Sequence, residues 1–368
     1  MRTHKNLNPL VYRYRPTFMQ TVKGVIKMKT YVVLITGLLL ILYSPIQAQQ
    51  SVTKVGTTAA GFLAIDVGPR ATAMGGAYVS LANDATAMYW NPAGIARING
   101  FQASFSNTNW IADLGFNFAG IVMNFGNLGT LGVNATFISM DQMERTTEFQ
   151  PDGTGEFFDA GSFAVGLSYA RNLTEQFAIG FNAKYIAERI YHCNANGFAL
   201  DVGALFDTHF QGITLGMSIS NYGTKMRLDG QDLIVQHDAN DVISGNNPKI
   251  NAKYQTDPFE LPLMFRVGAS ADLLKGEYNS NFVLSVDALH PSDDAEYVNI
   301  GGEYIFYDMF ALRAGYNKLF VSSEQGLTFG GGIRYSIDGT NTSIFIDYAF
   351  IDFGVFSSIH MFSVGLGL

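Results

Sequence analysis

From about residue 100 to its last residue the chain alternates apolar with polar or small side chains, in segments mostly ten to thirteen residues long. Phe163, Val165, Leu167 and Tyr169 interleave with Ser162, Ala164, Gly166 and Ser168. Phe177, Ile179, Phe181, Ala183 and Tyr185 interleave with Ala178, Gly180, Asn182 and Lys184. A period of two is what an extended strand with two unlike faces produces. Strands in soluble sheets average about 5–6 residues, whereas crossing a membrane at a tilt takes about 9–11. Length separates the two cases. Fourteen such segments can be drawn, over 100–110, 114–125, 128–139, 159–170, 176–190, 197–207, 212–223, 260–272, 280–290, 296–306, 309–319, 326–336, 342–352 and 357–368. The expected fold is all-β: a transmembrane antiparallel β-barrel of about fourteen strands, occupying residues 99–368.

The connections test that count independently. In a barrel whose termini share one side, every second connection lies on the same side. One set comprises Gly126-Asn127, Arg171–Glu175, Thr208–Gln211, Leu273–Asn279, Tyr307-Asp308 and Ile337–Asn341, all short. The alternate set holds Met140–Phe158 and Gly223–Phe259, the two longest. A miscounted strand would scramble this separation. Outer-membrane barrels carry short periplasmic turns and longer extracellular loops, so the long pair is placed outside. Phe125, Tyr169, Phe177, Phe206, Phe210, Phe306, Tyr307, Phe310 and Tyr335 flank the short turns. Ring side chains collect at such a membrane–water boundary.

Composition agrees. Charged residues are only 15% of the chain, aromatic residues reach 13%, and there are 39 glycines; a solvated globular surface needs charges nearer a quarter. A formal charge of −8 argues against a nucleic-acid partner. Lys27 and Lys29 precede an apolar run from Tyr31 to Tyr43, which Ser44-Pro45 breaks before Ile46-Gln47-Ala48 offers a small-residue cleavage site. That run is short of the ~17–25 residues of a spanning helix. Residues 28–48 are accordingly read as a signal peptide beginning at Met28, and 1–27 as an extension upstream of the true start. The single Cys193 excludes an internal disulfide and is read as a solvent-side thiol. With His192 it lacks the further ligands a metal would need.

If the apolar register faces lipid, the other register faces the lumen. It contains Lys184, Glu188, Asp201, Arg266, Asp272, Asp287, Glu303, Arg313, Arg334 and Asp347. An Arg or Lys facing lipid at mid-membrane would cost about 2–4 kcal/mol, so confinement to the enclosed face is required. Mixed signs point to a cross-linked interior rather than a wide single-sign channel. Many other inward positions are Gly, Ala or Ser, which leaves room for a plug or ligand.

Residues 49–98 abandon the alternation for Ala- and Gly-rich helical patches. Asn83-Asp84 can cap a helix running through Trp90, and Asn91 can cap a second turn begun by Pro92. This segment is expected to form a hatch, either a periplasmic cap or a plug in the lumen. The run from Gly61 to Ile98 carries Arg70-Ala71, Met74-Gly75-Gly76-Ala77, Asn83-Asp84 and Asn91-Pro92-Ala93. It resembles the N-terminal signature of the PorV/PorQ family, within the wider FadL-like group of fourteen-stranded barrels whose hatch also carries an Asn-Pro-Ala box. The last residue, Leu368, departs from the terminal Phe of many outer-membrane proteins; Phe362 lies nearby.

The resemblance implies two roles. In the PorV/PorQ reading the protein acts in type IX secretion in a Bacteroidetes-like outer membrane, engaging the C-terminal signal domains of cargo and handing them to attachment machinery. In the FadL-like reading it passes long-chain fatty acids or other hydrophobic small molecules through an apolar groove at the mouth and a kink or gap in one wall. Leu228, Leu233, Ile234 and Val235 in the second long loop are candidate contacts for either partner. Asp238, Asn240, Asp241, Asn246 and Asn247 in that loop lack the spacing of a calcium loop, so no metal or cofactor is expected. His4, His192, His209, His237, His290 and His360 lie in the leader, in loops or at turns, save His360 near a strand start. With no Gly-x-Ser-x-Gly elbow and no paired zinc motif, an enzyme is not expected.

Overall fold

The computed structural model describes residues 55–238, 249–274, 280–321, 323–337, 339–340, 342–356 and 358–368. The leader, the first residues of the hatch segment, and Asn240, Asp241, Asn246 and Asn247 lie outside them. Fourteen long strands make the barrel: β1 Phe101–Asn109, β2 Gly115–Asn124, β3 Thr130–Ser139, β4 Ala160–Asn172, β5 Phe177–Ile190, β6 Cys193–Asp207, β7 Ile213–Gly223, β8 Met264–Asp272, β9 Ser280–Pro291, β10 Tyr297–Phe306, β11 Phe310–Leu319, β12 Leu327–Ser336, β13 Ser343–Asp352 and β14 Ser358–Gly367. Each pairs antiparallel with its sequence neighbours, and β1 pairs with β14 to close the ring. The seam runs from Gln102 opposite Gly367 to Asn109 opposite His360, and Phe101 and Leu368 exchange backbone hydrogen bonds beneath it. Closure leaves no unpaired edge for lipid to cover.

Facing follows from register, because residues directly opposite in an antiparallel pair share a face. Phe163, Val165, Leu167 and Tyr169 are exposed on the outside, while Ala164 and Ser168 between them are buried within. The same division holds in β11, where Leu312 and Tyr316 face out and Ala311, Arg313 and Asn317 face in. Of the aromatics beside the short turns, Tyr169 also ties one turn down, its hydroxyl donating to the Leu128 carbonyl at 2.9 Å.

The two long connections are built, not merely solvated. Met143–Glu144 pairs with Phe157–Phe158, and Ile234–His237 pairs with Ile250–Lys253, so each raises a hairpin above the barrel. A two-residue strand, Asp229–Gly230, adds to the upper end of β6 at Cys193 and Asn194. This placement corrects the reading of Cys193 as a solvent-side thiol: it is 4% exposed, covered by that added strand, with Sγ 3.9 Å from Asp232 Oδ2. His237 and His290 likewise end strands instead of lying in turns.

The N-terminal segment is a plug in the lumen, not a cap outside it. It starts among the long loops, where Thr58 donates to Asp293 at 2.8 Å and Ala59 to the Glu260 carbonyl at 2.8 Å. It ends at the short turns, where Asn172 and Asn124 donate to the carbonyls of Ala96 and Ile98. Between these points lie two single helical turns, α1 Pro69–Thr72 and α2 Ala87–Trp90, and 3-10 turns at Gly61–Ala64 and Pro92–Arg97. Val67, Ala71, Met74, Tyr78, Ala82, Met88 and Ile95 are wholly buried.

Such close seating needs wall positions with no side chain. Gly203 faces Asn91, Gly216 faces the Val79–Ser80 backbone, and Gly315 faces the Met74–Gly75 backbone. At Gly216 a Cβ would come within 2.6 Å of the Ser80 Cα, a contact that rotamer changes cannot relieve. Gly331, by contrast, points outward with space for a methyl. Gly216→Ala should therefore destabilise the hatched barrel by about 1–3 kcal/mol, measured by chemical unfolding in detergent, while Gly331→Ala changes little.

Candidate functional site: the hatch and its seat

Helical turns of four residues cannot satisfy their own backbone, because the first N–H groups and last C=O groups of any helix lack internal partners. The plug therefore takes its partners from side chains. Asp84 Oδ1 accepts from the Thr86 N–H at 2.9 Å and hydroxyl at 2.5 Å, which winds the chain into α2. Thr86, not Asn83 or Asp84, occupies the formal cap position, and its own side chain makes no capping bond. Asn91 is fully buried; its Oδ1 accepts from the Ala93 N–H at 3.2 Å, while its Nδ2 donates to the Val79 carbonyl at 2.8 Å and the Ala204 carbonyl at 3.0 Å. Pro92, which has no N–H to leave unpaired, opens the next turn, and the Ala93 methyl is buried against the wall.

Inward polar residues of the wall complete the set. Asp287 accepts from the Val79 N–H at 2.8 Å, Ser218 donates to the Trp90 carbonyl at 2.9 Å, and Thr328 donates to the Ala73 carbonyl at 3.0 Å. Asn182 donates to the Met88 carbonyl at 3.2 Å and to Asp201 at 2.9 Å. Lys184 is ion-paired with Asp201 at 2.9 Å and bonded to Asn221, which also donates its backbone N–H to Asp201. These groups fill the bulge where β6 and β7 change register between Leu200 and Val202. Among the described residues every neighbouring pair of barrel strands remains hydrogen-bonded, so the bulge opens no gap in the wall.

A chain of ion pairs joins plug and barrel. Arg70 makes a two-pronged contact with Glu303 on β10 at 3.0 and 2.8 Å, and also reaches Asn83 at 2.7 Å and Asp84 at 3.3 Å. Glu303 accepts from Arg313 on β11 at 2.9 Å, and Arg313 donates to Asp347 on β13 at 2.6 Å. The reach from β11 to β13 passes over Gly332 on β12, where a Cβ would strike both partners. Tyr78 closes the inner end, its hydroxyl donating to Asp84 at 2.6 Å and its ring lying 5.4 Å from the Arg70 guanidinium. A planar, permanently charged fork suits this bridging role better than an ammonium group.

The other wall charges are distributed around the plug. Arg266 lies over the Tyr89 and Trp90 rings at 5.5 and 5.3 Å and donates to Ser220 at 3.1 Å. Glu188 faces inward near Ala60, and Asp272 and Arg334 face inward at the short-turn end. Asp272 and Arg334 line a polar cavity of about 640 Å³ beneath the plug, with Arg97 and Asp207 paired across its wall at 2.6 Å. Above the plug, Phe62 and Leu63 share one apolar cluster with Ile186, Ala199, Met226 and Leu261, and Leu228 packs against it; a second pocket of about 630 Å³ opens at the long-loop ends of β3 to β6, lined by Ile138, Ser162, Tyr185, Glu188 and Ala195. Leu233 and Val235 are half-buried in the raised hairpin and Ile234 is 49% exposed.

A model of the type IX secretion system protein PorV matches residues 47–289 of this chain, well over half its length. The chain belongs to the PorV family. No curated protein matches it. Among solved structures, the toluene transporter TodX of P. putida is similar in fold at a TM-score of 0.50 and 10% identity, over 82% of this chain and 96% of that one. The Ralstonia pickettii toluene transporter TbuX (0.49, 12% identity, 82% and 97% covered) and the CymD monoaromatic hydrocarbon channel (0.49, 12%, 82% and 96%) stand alongside it. At 10% identity the likeness to TodX concerns the fold alone. The chain is thus a PorV-family outer-membrane β-barrel.

Sequence reasoning placed Asn83, Asp84 and Asn91 in the hatch but missed Arg70, Tyr78 and Trp90 as its fasteners. Arg70 stood in the recognised signature without a role, since its partner Glu303 is 233 residues away. The only sequence signal for the seat is recurrent Gly in the inward register.

Arg70→Ala removes a buried cation shared by plug and wall. We expect a loss of about 3 kcal/mol, the low end for breaking a buried pair, because Arg313 still neutralises Glu303; faster tryptic release of the plug from purified barrels would register it. Burial also pushes the Asp66 carboxyl of the plug up to about 6, against the pull of Arg266 and Lys318. A carboxyl raised in the folded state favours folding when protonated, so its contribution is present below about pH 4 and lost as pH rises through about 6. The plug should accordingly be clipped faster at neutral than at mildly acidic pH, using a protease of flat pH response, and Asp66→Asn should flatten that difference.

Proposed function

We propose that this PorV-family barrel serves type IX secretion as a plugged surface platform, binding the C-terminal signal domains of cargo on its long-loop side and passing them to the attachment machinery. One observation carries the reading most: the plug packs into the middle of the lumen while the raised loops expose large apolar side chains. Phe149 is 92% exposed, and Met143, Phe157 and Tyr254 are each more than half exposed. Isolated apolar residues on a surface are ordinary, but several on two hairpins of one face suit a protein contact. The role is one of binding and transfer, without covalent chemistry. Export through cleavage after Ala48, with 49–98 as the mature hatch, belongs to the same proposal.

Uptake of hydrophobic small molecules is less well supported. Phe62, Leu63, Met226 and Leu261 pack together across the upper lumen, in the path such a ligand would need. Co-purification tests the choice. The intact barrel should capture a cargo C-terminal domain, and replacing residues 145–155 with a Gly-Ser segment should weaken capture about tenfold, the ~1.4 kcal/mol expected of one lost anchor. A barrel that retains lipid-like ligand and captures no signal domain would reject the platform reading.

A further inference from the structure

The pocket of about 630 Å³ at the long-loop ends of β3 to β6 opens outward, onto the lipid face of the wall. Register fixes this. Across the four strands Phe137, Phe163, Ala187 and Asn196 stand opposite one another, and in the row above Ser139, Gly161, Arg189 and Asn194 do the same. Both rows belong to the outward register and line the pocket, with Tyr185 beneath them. Ile186, buried on the lumen side between Tyr185 and Ala187, takes no part in it. Glu188 and Ser162 border it from between outward neighbours, and the Glu188 side chain is turned inward to Ser162 and Ala60. Small side chains make the hollow: Gly161 and Ala187 form its floor, and the Tyr185 ring, 6.2 Å from Phe163 and 5.3 Å from Phe198, closes its lower side.

The chemistry changes across the hollow. Phe163, Tyr185 and Phe198 continue the apolar band below it, whereas Arg189 and Asn194 stand above. Arg189 is twelve residues up β5 from Phe177, the aromatic residue at the short-turn boundary. With a rise of about 3.4 Å per residue and a strand tilt near 40°, that is about 30 Å, the thickness of the hydrocarbon core. Arg189 therefore lies at headgroup depth in the outer leaflet. Asp159, outside the pocket, holds Arg189 Nη2 at 2.8 Å, which fixes the guanidinium fork. Among the described residues its other N–H groups have no protein partner, and neither do the amides of Asn194 and Asn196. We infer that this recess binds one phosphate-bearing lipid of the outer leaflet. The phosphate meets Arg189 and Asn194, and the acyl chains begin over Gly161 and Ala187 against the Phe163 and Tyr185 rings. A guanidinium fork matches phosphate oxygens, and the volume falls in the range of about 300–1,000 Å³ that encloses small ligands. Lipid fits better than a soluble partner because the lower half of the recess lies within hydrocarbon. It fits better than free phosphate because Phe137, Phe163 and Tyr185 offer an ion nothing.

The test is lipid retention by the whole purified barrel in detergent, counted by native mass spectrometry, with heat-modifiable migration confirming the fold of each variant. Titrations use dioleoylphosphatidylglycerol and an uncharged galactolipid of the same acyl chains. The barrel should bind one phospholipid about tenfold more tightly than the galactolipid. Arg189→Gln should abolish that preference. Arg171→Gln should keep it, since Arg171 faces outward at the opposite end of β4, away from the recess. Ala187→Leu, which fills the hollow and leaves the charge in place, should weaken both lipids. Equal binding of the two lipids by the unaltered barrel would overturn the site, as would equal losses from Arg189→Gln and Arg171→Gln. Displacement of bound phospholipid by a millimolar excess of inorganic phosphate would overturn it in favour of a soluble ligand. Unchanged lipid retention in Ala187→Leu, with capture of a cargo domain lost, would overturn it in favour of a protein contact.

Discussion

A polypeptide in hydrocarbon must pair every backbone N–H and C=O within itself, and everything else in this molecule follows from how it does so. Fourteen strands meet the requirement only as a closed ring, so the β1–β14 seam is as necessary as any hairpin. Closure then sorts the side chains. With period two in every strand, an apolar exterior forces the remaining register inward, and the charges of that register are carried into an enclosed space.

That enclosed space creates a second requirement. Buried charges and short helical turns are each costly alone, the first through desolvation and the second through unpaired backbone groups. Here they meet each other's needs. Asp287, Ser218, Asn182 and Thr328 on the wall bond the plug's backbone, while Arg70 of the plug carries charge to Glu303. Wall and plug are one hydrogen-bonded object, and neither is a sensible structure without the other. Glycine in the wall is the steric counterpart: it lets backbone approach backbone, which is why a methyl at Gly216 would be felt.

The arrangement also shapes the functional reading. A barrel with a plug packed across its lumen, which raises two hairpins and exposes Phe149, Phe157 and Tyr254 on them, offers surface more than passage. Membership of the PorV family gives that surface a setting in type IX secretion.

How much of this was legible beforehand divides along the range of the interactions. Strand number, strand facing, the short-turn and long-loop sides and the helical character of the plug are local properties, set by side-chain period, turn chemistry and capping preferences within a dozen residues; the sequence by itself determined them. Hence Asn91 and Pro92 could be read as a helix start, and Lys184 or Arg313 assigned to the enclosed register. The plug's depth, the Arg70–Glu303–Arg313–Asp347 chain, the cover over Cys193 and the packing of Phe62 against Met226 and Leu261 were decided only by tertiary structure. Each joins residues far apart in the chain, and the energy of such contacts depends on distances that no local pattern records.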